Sequence, residues 1–366
     1  MECVIDSKKL SENLAYVASV APKRSVKETL SMMKITTKGK SIEMKATDLV
    51  VELKTTISDV DVKKEGVCLV NASKLNSIVG SFNDKISLKQ TAKNLVIKCG
   101  KSTFKLALGN PDEYVEICPE DKVIQSTKLE TDAFANLIDN VSFAADTAMS
   151  DVTYSYDTIL LDGEKDTLNC VALDGTRVSF GKIKCEKEIS KFFRLFSPKV
   201  FTLLKKINRR QTHLELKEYK NILVFEVGNF SYSIRPVVGK MPDYQKVLTI
   251  PDGYHYVDID RKELLRIVKQ MLVISNIGYK SIWLLVEDGK LTVYTDVVDN
   301  NEARVEVNVV TNINSTFKMK LNAESLYDIL KVIDCETVQL IFTGEEEPLH
   351  IKWEDYHYLI VPLMAL

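Results

Sequence analysis

The side chains with the most reactive chemistry are few in this sequence, and their spacing argues against catalysis. Its four histidines are His213, His255, His350 and His357. The last two are seven apart in a strand-like stretch, so they do not sit on one helix turn as zinc-binding histidines do. Asp258 and Asp260 could share Mg²⁺ in the manner of a nuclease or polymerase, but a pair just ahead of a helical pattern also reads as an N-cap with a solvated neighbour. Glu345-Glu-Glu347 lies between two strand patterns and reads as a turn. Seven cysteines (Cys3, Cys68, Cys99, Cys118, Cys170, Cys185, Cys335) are odd in number, scattered and never spaced as CxxC. Reduced, mostly buried thiols fit that pattern better than a disulfide framework or a zinc site. GxGxxG, the phosphate-loop lysine motif, HExxH and GxSxG do not occur. The expectation is a protein that is not an enzyme, with no metal and no cofactor.

Phosphate neutralisation is the other chemistry that residue type and spacing can support. Lys8, Lys9, Lys23, Arg24 and Lys27 surround one helical pattern, Lys199, Lys205, Lys206, Arg209 and Arg210 lie on or just after another, and Lys262, Arg266 and Lys269 recur on a third. A helix face carrying Lys and Arg without matching acids can hold a phosphate backbone and gain from counterion release. The same charges also serve as solvated faces and as partners of helix C-termini. The net charge is only -2, so nucleic acid would have to be met by locally concentrated charge rather than by the chain as a whole. No apolar run reaches the roughly 18 residues that span a bilayer, and the chain starts with an acidic segment, so no membrane contact and a cytoplasmic location are expected.

The elements that must position these residues form a repeat. Asn71–Val79, Ser197–Leu204 and Asn322–Leu330 read as amphipathic helices, each followed by two alternating strand patterns, and their starts are 126 and 125 positions apart. Each repeat also opens with a helix whose apolar residues recur at three and four: Leu10, Leu14, Val17; Phe134, Leu137, Ile138, Val141; Leu264, Ile267, Val268, Met271. Strand pairs follow these as well, at 41–48 with 50–57 and at 282–286 with 291–294. A helix face of this kind must cover a sheet, so each repeat is expected to be an α+β domain with two helices on antiparallel sheet. The expected domains are 1–120, 121–250 and 251–366, with linkers near 112–128 and 248–257, where Pro111, Pro119, Pro251 and Gly253 cluster with charges.

Three segments resemble those of the bacterial DNA polymerase III beta sliding clamps. Ala172-Leu-Asp-Gly-Thr-Arg-Val178 is similar to their Ala-Thr-Asp-Gly-His-Arg-Leu, Gly239-Lys-Met-Pro-Asp-Tyr-Gln-Lys-Val247 to Gly-x-Phe-Pro-Asp-Tyr-x-x-Val, and Tyr358-Leu-Ile-Val-Pro-Leu-Met364 to the closing Tyr-x-x-x-Pro-Met-Arg. Fainter echoes are Ala46–Leu49, Asn110–Tyr114 and Ile274–Asn276. The resemblance implies a head-to-tail homodimeric ring of the DNA clamp fold, with helices lining the hole and sheets outside. It implies a processivity factor that encircles duplex DNA without reading its sequence. The implied partners are a polymerase catalytic subunit, a clamp loader and other clamp-motif proteins, each docking a short, partly hydrophobic peptide in one cleft.

The cleft walls implied by the resemblance are Tyr156, Leu173, Gly175, Thr176, Arg177, Val178, Pro242, Lys246, Val247, Asn322, Ile360, Val361, Pro362, Leu363 and Met364. Small and aliphatic residues would floor it, Gly175 would allow close approach, and Arg177 and Lys246 would meet acidic or carbonyl groups. Arg24 and Tyr154 are the implied DNA contacts, to which charge adds Lys199, Lys205, Lys206, Arg209 and Arg210. The dimer contact would join Phe104 and Leu106 of one chain to Val273 and Ile274 of the other. Leu173, Thr176, Lys246 and Tyr156 stand where the family has Thr, His, Arg and Leu, and Met364 where Arg is usual. Peptide preference is therefore expected to differ. The alternatives are a DNA-processing enzyme, which would need a catalytic constellation, and a protein-binding repeat scaffold without topological hold on DNA.

Overall fold

The computed structural model describes residues 1–117, 122–145, 153–208, 211–275, 280–297 and 300–364. Among them are seven α-helices: α1 (Ser7–Val20), α2 (Ala72–Val79), α3 (Thr131–Ser142), α4 (Phe201–Asn208), the single turn α5 (Tyr244–Val247), α6 (Arg261–Ile274) and α7 (Ala323–Val332). Four of them start the same way. Strands Glu2–Asp6, Gly66–Asn71, His255–Asp260 and Phe317–Asn322 each end on an Asx residue whose side chain accepts a backbone N–H of the following helix: Lys9, Lys74, Glu263 and Ser325 respectively. The cap replaces a loop, so the chain turns from strand to helix within one residue. The apolar stripe then points inward: Leu10, Leu14 and Val17 on α1, Leu264, Ile267, Val268 and Met271 on α6, all buried.

The chain divides into two compact units. The first comprises Met1–Asp132, Cys185–Ile189 and Lys199–Pro236. It holds one thirteen-stranded antiparallel sheet, in the order Gln125–Glu130, His213–Glu218, Leu223–Val227, Phe230–Ile234, Val51–Ile57, Ser41–Thr47, Met32–Lys38, Gly66–Asn71, Ser102–Gly109, Asn94–Cys99, Lys85–Gln90, Glu2–Asp6 and Asp61–Lys64. Helices α1 and α2 pack together and against this sheet.

The second unit comprises Ala133–Lys184, Ser190–Pro198 and Val237–Leu366. Its seven-stranded sheet runs Ile159–Leu173, Arg177–Phe196, Tyr356–Ile360, Leu349–Trp353, Thr337–Phe342, His255–Asp260 and Val310–Thr311, and a four-stranded sheet runs Arg304–Asn308, Lys290–Tyr294, Ser281–Glu287 and Phe317–Asn322. Helices α6 and α7 pack against each other over these strands. The fold is α+β with antiparallel sheet, as the sequence pattern implied. Strands Gln125–Glu130 and His255–Asp260 start inside the stretches read as linkers. Proline and charge mark only the preceding residues there, and a strand of six residues is too short for its alternation to stand out.

In both units a strand from one repeat pairs with a strand from the next. Phe230–Ile234 lies antiparallel to Val51–Thr55, and Arg177–Gly181 lies antiparallel to Tyr356–Ile360. In each case the last strand after a repeat's second helix meets the strand that closes another repeat's first half. Among the described residues, the two strands occupying the equivalent places, Ser102–Gly109 and Arg304–Asn308, lack such a partner. Arg304–Asn308 is a sheet edge, and Ser102–Gly109 pairs along its length with Asn94–Cys99 but on its other side only at Leu108 and Gly109.

Candidate functional site

The residues of the implied cleft all belong to the second unit, and its geometry starts from the turn at Asp174–Arg177. Asp174 Oδ1 accepts from Thr176 N–H at 2.9 Å, Thr176 Oγ1 at 2.7 Å and Arg177 N–H at 3.0 Å. Gly175 sits at φ +85°, and a Cβ there would make only ordinary contact with the Tyr156 ring at 3.7 Å, so the glycine serves the turn's backbone rather than close packing. Arg177 is consumed by the fold: Nε donates to Asp174 and Nη1 to Asp328, both at 2.9 Å, Nη2 donates to the Phe143 carbonyl at 3.2 Å, and the guanidinium lies over the Phe143 ring. It braces the site and is not presented as an open cation. Lys246 is presented: its side chain is 83% exposed and pairs with Asp243 at 3.2 Å.

The three motif segments come together. Val178 pairs with Leu359 and Arg177 with Ile360, and Val361 N–H extends the ladder to the Thr176 carbonyl at 2.8 Å. Leu173, Val178, Leu359 and Tyr244 pack with Leu160, Val171 and Leu195 in one buried cluster, with Tyr156 and Met241 on its margin. Tyr244 anchors the second segment by donating to Asp162 Oδ2 at 2.7 Å. Burial and the Asp162 carboxylate push its phenol above the ordinary range, so it stays a donor at every working pH. Leu363 N–H donates to the Lys320 carbonyl at 2.8 Å, holding the last described residues along the end of the four-stranded sheet. Asn322 caps α7.

Above this floor several apolar side chains stay open: Val247 is 46%, Val361 40% and Met364 89% exposed. Pro242, Pro362 and Leu363 are half-buried, while Gly175 and Thr176 are exposed. Beside them is a hollow of about 420 Å³ lined by Lys246, Val247, Thr249, Pro251, Thr343, Glu347, Pro348 and His350. Sequence reasoning reached only Lys246 and Val247 of these. Thr343, Pro348 and His350 arrive through the pairing of Thr337–Phe342 with Leu349–Trp353, which no local motif signals.

The next hairpin, Leu349–Trp353 with Tyr356–Ile360, joins the two histidines judged too far apart to cooperate. His350 Nδ1 lies 3.0 Å from His357 Nε2, with both rings buried. Burial, with Lys352 nearby, lowers His350 to about 4, and burial, with His350 and Lys352, lowers His357 to about 3. Both are neutral at pH 7, one donating to the other. Among the described residues no three His, Cys, Asp or Glu side chains cluster as a metal site. Asp258 and Asp260 take structural roles, accepting from Gln339 and from Glu263 N–H. The described cysteines form no disulfide.

Of the implied DNA contacts, Arg24 is exposed in the loop after α1, Lys199 is exposed on the 3₁₀ turn Pro198–Val200, and Lys205 and Lys206 lie in the last turn of α4. These belong to the first unit, whereas Tyr154, beside Tyr156 with ring centroids 5.9 Å apart, belongs to the second. Arg209 and Arg210 lie outside the described residues. Phe104 (41% exposed) and Leu106 (buried) are on strand Ser102–Gly109, and Val273 (79% exposed) and Ile274 end α6. Among the described residues no helix is long and apolar enough to cross a membrane.

Comparison with known proteins agrees along the whole chain. The model of the DNA polymerase III beta subunit N-terminal domain matches residues 1–118 and that of its C-terminal domain residues 249–364. The beta sliding clamp of Pseudomonas putida is 26% identical, covering 99% of this chain and 100% of that protein. A crystal structure of the DNA polymerase III subunit beta from Pseudomonas aeruginosa superposes with a TM-score of 0.92 at 26% identity, covering 100% of both chains. A sliding clamp from the same organism bound to griselimycin superposes at 0.90, again at 26% identity and over 100% of both chains. The chain therefore belongs to the DNA polymerase III beta subunit family, the non-catalytic sliding clamps of DNA replication.

Proposed function

We propose that two copies of this chain close head to tail into a ring around duplex DNA in the cytoplasm, and that each copy tethers a polymerase through the cleft at Arg177–Val178, Pro242–Val247 and Ile360–Met364. One observation carries the ring. The same strand-to-strand junction is made twice within the chain, and the two strands that would make it a third time, Ser102–Gly109 and Arg304–Asn308, are left with open edges. An open edge is a pairing site. Two different edges meeting twice about a twofold axis close a ring rather than a filament. Exposed Phe104 on the first strand and exposed Val273 at the end of α6 supply apolar surface for that contact. Three domains, 1–120, 121–250 and 251–366, make up each half of the ring.

Duplex DNA is met by Arg24, Lys199, Lys205, Lys206, Arg209, Arg210 and Tyr154, which hold phosphates without reading bases. In the cleft, the open Val247 and Val361 side chains and half-buried Leu363 anchor the apolar residues of a short peptide from the polymerase, the clamp loader or another clamp-motif protein, and Lys246 offers it a cation.

Retention on DNA tests the reading. Loaded onto a nicked circle by an ATP-driven loader, the protein should survive a salt wash that strips phosphate contacts, and cutting the circle should release it. Equal loss from cut and uncut circles would mean that contacts, not topology, hold the complex.

A further inference from the structure

The four-stranded sheet of the second unit turns one face to α6 and α7 and the other to solvent. Ile282, Leu284, Val286, Leu291, Val293, Met319 and Leu321 are buried on the helix side. On the solvent side, one row crosses all four strands in register: Arg304 opposite Tyr294, Tyr294 opposite Trp283, and Trp283 opposite Lys320. The two aromatic residues occupy the central strands, their rings nearly parallel at 11° with centroids 6.2 Å apart. Cations flank them: Arg304 sits over the Tyr294 ring at 5.6 Å, and Lys318 and Lys320 sit over the Trp283 ring at 3.9 and 5.2 Å. Asp296 is the acid of the row. It accepts from Trp283 Nε1 at 2.7 Å and from Ser281 Oγ at 3.2 Å and pairs with Lys320 at 2.8 Å, which fixes the indole edge and offsets the carboxylate charge.

We propose that this face binds single-stranded nucleic acid, with bases laid on Trp283 and Tyr294 and phosphates held by Lys318 and Arg304. Aromatic rings side by side on the central strands of a four-stranded sheet are a platform for unstacked bases, and flanking cations track the backbone. Lys318 now covers the indole. A stacking base takes its place over the ring and frees the ammonium for the adjoining phosphate, so a cation–π contact is exchanged for a stack and an ion pair. Duplex DNA hides its base faces and cannot use the rings. An acidic peptide could use the cations but would leave the paired rings without a role.

Trp283 is one of only two tryptophans, so a Trp353→Phe variant of the full chain makes it a private reporter. Titration with a short oligothymidylate at low salt should quench its fluorescence. Trp283→Leu should weaken binding of a labelled strand by roughly 5- to 150-fold, the loss of one base–aromatic stack. Lys318→Ala and Arg304→Ala, at exposed positions that leave the buried face intact, should each lower the salt slope by about 0.7. No quench on binding would put the strand elsewhere and overturn the proposal. So would equal quenching by polyglutamate, which would make the face a site for acidic polypeptides, or equal competition by duplex.

Discussion

The two junctions within the chain use one backbone device and finish it with different side chains. At the first, Phe230–Ile234 on Val51–Thr55, the flank is polar: Asn229 Nδ2 donates to Asn13 Oδ1 at 2.7 Å and to Thr55 Oγ1 at 2.9 Å, beside a groove that includes Tyr16, Lys206 and Phe230. At the second, Arg177–Gly181 on Tyr356–Ile360, the flank is apolar, with Val178, Leu359 and Tyr244 over a buried cluster and Arg177 locked between two aspartates. Strand pairing fixes the architecture in both, and side chains decide what each junction can hold. The second has a buried apolar cluster under its ladder and open Val361 and Met364 beyond it, which suits it to a hydrophobic peptide.

The largest expected effect is at the proposed third junction, between chains. Val273→Asp together with Ile274→Asp should convert a dimer into folded monomers, because the charges are buried at the interface and not in a domain core. Sedimentation at micromolar concentration checks this. A wild-type protein already monomeric there would remove the third junction altogether.

Acid should separate the two internal junctions next, since His357 lies on the second, opposite Phe180, and no histidine lies on the paired strands of the first. Folded His350 and His357 titrate near 4 and 3 against an ordinary 6.5. Above pH 6.5 both are neutral whether folded or unfolded and contribute nothing to pH dependence. Below it the unfolded chain takes up protons that the folded chain refuses, so stability falls from pH 6.5 down to about 3. Thermal unfolding at pH 7 and pH 5 should show a fall in Tm that is reduced in a His350→Gln, His357→Gln variant. An equal fall in both proteins would assign the acid sensitivity elsewhere.

Arg177→Ala should cost about 2 to 3 kcal/mol in urea unfolding, because it strands Asp174 and Asp328; the figure stays below that for a fully buried pair, as the Asp328 side chain is 30% exposed. Leu363→Ala should leave the fold intact and weaken a peptide bearing Gln, Leu and Phe by about 1 to 2 kcal/mol in calorimetry, the loss of one buried anchor. Indifference to it would take Leu363 out of the cleft. Asn229→Ala, at the polar junction, should cost the least, about 0.5 to 1 kcal/mol, as solvent replaces its bonds.

Much of this was legible in the sequence, for reasons that differ by level. The helices showed because a 3.6-residue stripe such as Leu264, Ile267, Val268, Met271 is local and strong. Asp260 showed as a cap because its role is set by the next three residues. The motif segments were legible as a resemblance, and the ladder from Val178 to Leu359 explains why segments so far apart in sequence share one cluster. What stayed hidden was non-local. The long hairpin of Ile159–Leu173 and Arg177–Phe196 has little alternation to read, and the meeting of His350 with His357 depends on hairpin register. Arg177 looked like a ligand cation because the sequence does not reveal that Asp328 and the Phe143 carbonyl stand in front of it.

The one-residue corners at Asp6, Asn71, Asp260 and Asn322 have a practical consequence for anyone who wants to watch this protein move. A corner with no slack cannot take an insertion without turning its helix off the sheet. The hairpin tips can: Gly39, Gly100 and Gly289 are all at positive φ with open space around them. Dyes, cross-linkers and affinity tags therefore belong at those tips, with each tip's glycine kept and the label placed on an exposed neighbour such as Lys40 or Lys101. Labels placed there leave the helices and the cleft untouched.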